Sequence, residues 1–237
     1  SKTADMKKTF TAIAMIIASL ASAQNVNIPD PDFKNALVNY YPAIDINHDG
    51  EIQVSEALAV TSLSVTATNI TGIQAFANLD SLDSYGNTPN LDLSNMMHLR
   101  KLLVWPSGSF NISGCINLEF LSFGFNDVPD LTINLPRLKS IDLQGQHIGN
   151  IILTGCDSLK KISLSQFMLE INKLDISGLT QIDTLKNFSG INRLIARNCT
   201  GLKLIEADLT GSVRDELDVT GCTNLKKILL IETYFPV

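Results

Sequence analysis

Six residues that can offer oxygen ligands recur at close spacing near the start of the chain. They occupy positions 1, 3, 5, 7, 9 and 12 of a twelve-residue segment, residues 45–56. These residues are Asp45, Asn47, Asp49, Glu51, Gln53 and Glu56. Ca²⁺ takes several hard oxygen ligands at short range, and a bound cation makes neighbouring carboxylates tolerable together. The segment therefore predicts a calcium site, in which Glu51 offers its backbone carbonyl and Glu56 offers both carboxylate oxygens.

The same spacing resembles the calcium loop of the EF-hand. Gly50 at position 6 permits the sharp turn, and Ile52 at position 8 points inward and ties the loop to the core. Helices are predicted on both sides, over Pro31–Tyr40 and from Ser55 to Ala59. Weak extracellular calcium sites are filled constitutively. We therefore expect bound Ca²⁺ to act as a structural clamp and not as a sensor; the alternative is a solvated acidic turn.

A repeated sequence pattern must build the surface with which this chain binds a ligand. Nine apolar anchors recur every 19 to 23 residues, and each opens a phrase of the form apolar-x-x-Leu/Ile-x-apolar. The anchors are Val60, Leu79, Leu99, Leu118, Leu138, Leu159, Ile182, Leu202 and Leu225. A fixed period in this range indicates a solenoid, in which stacked coils bury a continuous core that no single coil could bury.

A second phrase, such as Leu174-Asp175-Ile176-Ser177-Gly178, lies between the anchors. Its alternation predicts a half-buried strand and its Ser/Thr-Gly predicts a turn. A polar residue recurs at one outward position of this phrase, and we interpret that row as a solvated face. The row comprises Asp92, Asn111, Asp175 and Asp218.

Together, the two phrases resemble the leucine-rich repeats of secreted bacterial proteins, including the internalin-like group. The resemblance covers residues 58–237. It implies an α/β solenoid, mostly β, with about nine coils, a concave sheet built from the anchor strands, and a small helical N-terminal cap at residues 24–57.

The N-terminal residues 1–23 have the pattern of a secretory signal peptide: Lys7-Lys8, a short apolar run, and Ala21-Ser22-Ala23. We therefore expect a secreted or cell-surface protein that does not span the membrane. The net charge of −6 argues against nucleic acid as a partner. No nucleophile, zinc-protease or phosphate-loop motif occurs in the sequence, so we do not expect an enzyme.

Four apolar residues at outward strand positions of three consecutive coils are candidate ligand contacts. They are Tyr85, Leu103, Trp105 and Phe120. Exposed aromatic clusters mark interfaces, although Trp105-Pro106 could instead cover an irregular loop. Three functions stay open: a module that binds a protein partner through the concave face, a calcium-stabilised structural protein of the cell envelope, and a non-catalytic glycan-recognition subunit.

The four cysteines recur at one apolar position of the coil, so we expect buried thiols. Only Cys199 and Cys222 lie in neighbouring coils, which leaves a disulfide between them open. The ninth anchor runs into Tyr234-Phe235-Pro236-Val237 without a polar cap. Solenoids need a terminal cap. Either a longer protein or self-association through the C-terminal end is therefore expected.

Overall fold

The computed structural model describes residues 24–164, 170–188, 190–208 and 213–231, and the predicted signal peptide lies outside these ranges. They form a mostly-β solenoid with few helices, as predicted, whose coils make eight complete turns between nine anchor strands. The helices are α1 (Pro31–Val38) and α2 (Val54–Ala59). The strands are β1 (Ser62–Val65), β2 (Ser81–Asp92), β3 (Lys101–Asn111), β4 (Phe120–Ile133), β5 (Ser140–Leu153), β6 (Lys161–Leu164), β7 (Glu170–Asp175), β8 (Thr184–Phe188), β9 (Ile191–Ile195), β10 (Leu204–Asp208), β11 (Glu216–Asp218) and β12 (Lys227–Ile231).

Each anchor is followed two residues later by the start of a strand, as with Leu99 and β3. We call these nine strands (β1 to β6, β8, β10 and β12) the repeat strands. The anchors between the first and the last are fully buried, at 0% exposure. Val60 and Leu225, which end the series, are only partly buried. Full burial thus requires a neighbouring coil on each side, as expected for a solenoid.

From β1 to β6, the first four residues of neighbouring repeat strands pair parallel and in register, so equivalent residues of these coils lie side by side. Leu102 of β3 pairs with Leu82 of β2 and with Leu121 of β4. Alternation along the strand then sends Leu102 and Val104 into the core and leaves Leu103 half-exposed on the outer surface. We call this outer surface the repeat-strand face.

The polar row of the second phrase is not merely a solvated face. The Oδ1 atom of each of these residues accepts the backbone N–H of the residue two positions later, at 3.0 or 3.1 Å. The four residues are Asp92, Asn111, Asp175 and Asp218. Such side chains hold the turn that ends each strand, because a short Asp or Asn side chain can replace a backbone acceptor. They are therefore structural residues of the coil.

A helical cap covers the first coil. The Asp30 carboxylate accepts the Phe33 N–H at 2.8 Å and so begins α1, which buries Phe33. The Tyr40 hydroxyl, just after α1, accepts the backbone N–H of Ser64 in β1 at 2.9 Å. The cap thereby occupies part of an edge that would otherwise be free to pair with another strand. No helix in the described ranges has the length and apolar character needed to cross a bilayer.

The repeat strands do not form one continuous sheet. Strands β1 to β6 belong to a nine-stranded sheet, in which β6 pairs only with β5. Strands β8, β10 and β12 form a separate sheet of three. The second phrase continues past this break, because β7 pairs with both β5 and β9. The solenoid is thus intact on one side and interrupted on the repeat-strand face.

The four cysteines are free thiols. Cys115, Cys156 and Cys199 are buried, and each lies within hydrogen-bonding reach of a carbonyl of the preceding coil, for example Cys199 Sγ and Ile176 O at 3.0 Å. Burial raises the pKa of Cys115 and of Cys199 to about 11. Cys222 is only partly buried and makes no disulfide with Cys199.

Candidate functional site

The residues predicted to bind calcium lie around one closed loop between α1 and α2. The Glu56 carboxylate joins its two ends, because Oε1 accepts the Ile46 N–H at 2.8 Å and Oε2 accepts the Gln53 N–H at 2.9 Å. Gly50 has a φ of 78°, so position 6 of the loop needs a residue without a side chain. Ile52 is fully buried, as predicted.

The first residue of the loop carries a buried carboxylate, and only one of its two oxygens has a hydrogen-bond partner. Asp45 is 2% exposed, and its Oδ2 accepts the Gly50 N–H at 3.0 Å. Its Oδ1 is buried without any hydrogen-bond partner. An unpaired buried carboxylate oxygen is destabilising, because folding removes its hydrogen bonds to water and no protein hydrogen bond replaces them. A cation at this position would supply the missing partner, so the residues present fit Ca²⁺.

The remaining oxygens of the loop form a hydrogen-bonded network around Asp49. The Asn47 amide donates to Asp49 Oδ2 at 2.9 Å, and the Gln53 amide donates to the same oxygen at 2.9 Å. The Glu51 N–H donates to Asp49 Oδ1, and this bond is the main reason that the pKa of Asp49 lies below its usual value. Both oxygens of the Asp49 carboxylate therefore accept hydrogen bonds from N–H groups of the loop.

The predicted calcium ligands are not all acidic residues. Across the described ranges, no three or more His, Cys, Asp and Glu side chains converge to hold a metal ion. The predicted ligand set instead mixes carboxylates with amide oxygens and one backbone carbonyl, which suits a hard cation such as Ca²⁺. The Glu51 side chain is directed elsewhere, because its carboxylate pairs with Lys34 of α1.

The chain N-terminal to α1 completes the loop, which the sequence did not indicate. Asn25 and Gln53 form an antiparallel bridge, in which the Val26 N–H donates to Ile52 O at 2.7 Å and the Val54 N–H donates to Gln24 O at 2.9 Å. The loop therefore gains a short pairing partner from its own chain. Asn25 also lines the surface depression beside Asn47 and Glu56.

Two of the predicted ligand contacts are in direct contact on the repeat-strand face. The rings of Tyr85 and Trp105 are stacked, with centroids 5.2 Å apart and an angle of 29° between the ring planes. Tyr85 belongs to β2 and is 49% exposed, while Trp105 belongs to β3 and is half-buried. Trp105 lies inside β3, beside an irregularity in the pairing of β2 with β3, where Asn87 and not Tyr85 pairs with Trp105.

Trp105 is also held from the other side. A side chain on Gly124 of β4 would place its Cβ 2.4 Å from the indole Nε1 and 2.6 Å from Cδ1. Only glycine leaves room for the indole at this position. Trp105 therefore packs between Tyr85 and Gly124, and no sequence pattern singled out this glycine.

Leu103 and Phe120 lie on the same face as the aromatic pair, with Asp83 and Ser122 beside Leu103. Leu103 lies two residues before Trp105 on the same side of β3, and Phe120 of β4 pairs with Lys101 of β3. Both are half-buried. Neighbouring strands are about 4.8 Å apart, and successive residues on the same side of one strand are about 6.6 Å apart. We call Tyr85, Leu103, Trp105 and Phe120 the aromatic patch.

Comparison with known proteins finds similarities of low sequence identity. No known family model matches the chain. The chain is 27% identical over 160 residues to Protein SUPPRESSOR OF npr1-1, CONSTITUTIVE 1 of Arabidopsis thaliana, a match that covers 67% of this chain. The chain spans only about 10% of the length of that plant protein.

Two solved structures of Listeria monocytogenes proteins match most of the chain at low sequence identity. Internalin C2 is 21% identical with a TM-score of 0.48, and the match covers 88% of this chain and 98% of that one. The internalin inlF is 14% identical with a TM-score of 0.26, covering 89% and 98%.

Proposed function

We propose that this chain is an exported, non-catalytic module that binds a protein partner through its repeat-strand face, with the aromatic patch at the centre of contact. The observation that carries this proposal is the packing of Trp105 between Tyr85 and Gly124, which restricts the indole. A surface Trp that is already immobilised loses little conformational freedom when a partner covers it, and Trp and Tyr dominate the binding energy of protein interfaces. Export is supported by the signal-peptide pattern of residues 1–23.

The same arrangement favours a protein over a glycan. A sugar ring stacks on an aromatic face that is free, whereas Trp105 is contacted by Tyr85 and by Gly124. Leu103 and Phe120 add apolar side chains to the same face, next to Ser122 and Lys101, with which they pair. Apolar contact area of this kind suits the buried centre of a protein interface.

We further propose that Ca²⁺ bound by residues 45–56 stabilises the N-terminal cap. The unpaired Oδ1 of Asp45 supports this assignment. Asp45, Asn47, Asp49 and Glu56 would supply side-chain oxygens, Glu51 its carbonyl, and Gln53 an oxygen directly or through water. The cation would strengthen the connection between α1, α2 and residues 24–26, and so protect the edge of β1.

Affinity capture tests the binding function. Immobilised wild-type protein and Trp105→Ala are compared on the same protein extracts and the same polysaccharide resins. The matched control is Tyr41→Ala, since Tyr41 is an aromatic residue of the cap that is 95% exposed. A protein retained by wild type and Tyr41→Ala but not by Trp105→Ala supports the proposal. Loss of polysaccharide retention favours glycan recognition, and no difference in any ligand favours a structural role.

A further inference from the structure

A row of exposed apolar side chains lies along one edge of the early coils. In four successive coils, the residue two positions before the anchor is apolar and exposed; Met97 is 54% exposed and Ile116 is 51% exposed. The Asn117 side chain donates to Met97 O at 2.7 Å, which places Ile116 beside Met97 of the preceding coil. We call the four residues the apolar row: Ala77, Met97, Ile116 and Pro136.

The fold does not require apolar residues at this position. The four later coils carry polar residues there, and all of them are exposed: Asp157, Thr180, Thr200 and Thr223. The same hydrogen bond forms over a polar residue, since the Asn224 side chain donates to Thr200 O at 2.7 Å. A contiguous run of exposed apolar side chains that the fold does not need is typical of an interaction surface.

A row of alternating charges runs along the same edge of the same four coils. It consists of the residues that directly follow the anchors, namely Asp80, Arg100, Glu119 and Lys139, and we call it the charged row. From Arg100 onwards, each residue donates its backbone N–H to the carbonyl of the one before it, at 2.8 Å. The side chains also meet: Arg100 lies 3.9 Å from Asp80 and 3.0 Å from Glu119, and Lys139 lies 2.6 Å from Glu119.

Four charges of alternating sign are complementary to the same four charges in reverse order. A two-fold axis that runs across the rows, between the coils of Arg100 and Glu119, lays each row on the same row of a second copy in the opposite direction. Arg100 then faces the partner's Glu119, and Asp80 faces the partner's Lys139. A two-fold axis along the rows would instead lay the charged row on the apolar row, which is unfavourable.

The antiparallel arrangement also matches the apolar row with itself. Met97 faces the partner's Ile116 on either side of the axis, and Ala77 faces the partner's Pro136. The two most exposed apolar side chains of the row therefore lie at the centre of the contact. Charges with complementary signs and a central apolar contact are the features of a self-complementary interface.

The match is confined to these four coils. Leu58 and Asp157 hold the apolar-row position in the coils on either side, and they would oppose an apolar side chain to a carboxylate. The residues between the two rows bring no like charges together, and with part of the charged row they line a depression of about 450 Å³. These residues are Asn78, His98, Asn117 and Arg137.

We propose that the chain forms an antiparallel dimer through the apolar row and the charged row. The backbones of four coils extend over only about 14 Å, because neighbouring strands are about 4.8 Å apart. The interface is thus smaller than that of most stable dimers, and we expect a dissociation constant in the micromolar range or above.

The axis across the rows leaves the two repeat-strand faces on the same side of the dimer. Two aromatic patches on one side would bind a multivalent partner more tightly than one patch. Only this consequence rests on the proposed function; the dimer itself does not.

Sedimentation equilibrium over a series of concentrations tests the charged row with Arg100→Glu and Glu119→Arg. Each variant opposes like charges twice in the dimer, so its dissociation constant should rise at least about tenfold. An equimolar mixture of the two variants restores opposite charges at both contacts and should associate as the wild type does. Lys203→Glu, at the same position of a later coil, is the matched control and should leave association unchanged. Exposed ion pairs contribute little to folding, so all variants should fold, as circular dichroism checks.

The apolar row is tested in the same way with Met97→Lys. This substitution places a charge at the centre of the contact and should weaken association, whereas Thr200→Lys, at the same position of a later coil, should not. Both residues are exposed, so neither substitution disturbs the core.

A wild type that stays monomeric at about 500 µM would overturn the proposal. Association that Arg100→Glu and Met97→Lys leave unchanged would also overturn it, and would indicate another surface such as the C-terminal end. Variants that lose association singly and do not regain it in the mixture would contradict the antiparallel arrangement. Capture of a partner by Trp105→Ala tests the aromatic patch separately, because Trp105 belongs to neither row.

Discussion

The indole of Trp105 lies so close to the backbone of Gly124 that a side chain added at position 124 would have to displace it; a Cβ on Gly124 would be 2.4 Å from Nε1. The contact joins two neighbouring coils on the outer surface, where side chains are ordinarily free to move. Together with the stacked Tyr85 ring, it restricts the positions that the indole can take before any ligand arrives. Immobilisation of this kind lowers the entropy lost on binding.

Gly124→Ala is expected to displace Trp105, since the added methyl group and the indole would overlap. Trp105 is the only tryptophan of the chain, so intrinsic fluorescence reports on it alone. The emission maximum should shift to longer wavelength as the ring enters water. The stability lost in Gly124→Ala should be smaller in a Trp105→Ala background, and an equal loss in both backgrounds would contradict the contact.

Calcium should stabilise the protein through the loop at residues 45–56. A ligand at a hundredfold excess over its Kd adds about 2.7 kcal/mol to the free energy of unfolding. The melting temperature is therefore expected to rise with Ca²⁺ and to fall with a chelator. Asp45→Ala and Glu56→Gln should remove this response, while Asp157→Asn, at an exposed turn, should keep it. A melting curve of the wild type that chelation leaves unmoved would contradict the calcium clamp.

Ser84→Ala is expected to stabilise the protein by about 1 kcal/mol. Ser84 takes the inward position that Val104 occupies in the next coil; it is 1% exposed, and its Oγ has no hydrogen-bond partner. The hydroxyl loses its hydrogen bonds to water on folding, and alanine, which has no hydroxyl, avoids this free-energy cost. Urea unfolding measures the change, with the exposed Ser62→Ala as control. A destabilised Ser84→Ala would show that the hydroxyl is satisfied in solution.

Asp218 should make stability depend on pH in the acid range. Hydrogen bonds from Thr220, followed by that from Arg197, hold the pKa of Asp218 at about 2. In the unfolded chain the pKa of Asp is about 3.9. A depressed folded pKa gives stabilisation that is complete above the unfolded pKa and is lost as pH falls from about 4 towards about 2. Asp218→Asn should lose less stability over this range than wild type, as followed by urea unfolding; identical slopes would contradict the assignment.

Thiol reactivity should separate the four cysteines. Burial raises the pKa of Cys115, Cys156 and Cys199, so their thiolates are scarce near neutral pH as well as inaccessible. A thiol-specific reagent should therefore modify Cys222 first in the folded protein. All four should react after unfolding without reductant. Fewer than four reactive thiols in the unfolded, unreduced protein would indicate a disulfide.

The fold could be predicted because it depends on burial, which a repeated apolar pattern records directly. Every anchor is followed by a strand, and Ile52 is buried as the loop pattern requires. The turn-holding role of Asp92 and Asp218 was also within reach, since Asp followed two residues later by Ser or Thr is a known turn pattern. Their outward position alone indicates only a solvated face.

The remaining features depend on contacts that no local pattern records. The break between β6 and β8 follows an interval of 23 residues between anchors, but Leu202 and Leu225 are also 23 residues apart, and their strands β10 and β12 do pair. Spacing alone therefore could not locate the break. The pairing of Asn25 with Gln53 and the contact of Trp105 with Gly124 likewise join segments far apart in sequence.

The most direct test of the binding function is the affinity of Trp105→Ala for a purified protein partner identified by capture. Calorimetry of wild type, Trp105→Ala and Tyr41→Ala with that partner measures it. Truncation of a central aromatic contact costs about 2 kcal/mol or more, so the Kd of Trp105→Ala should rise at least about thirtyfold while that of Tyr41→Ala stays unchanged. Equal Kd values for wild type and Trp105→Ala, with both proteins folded, would contradict binding through the aromatic patch.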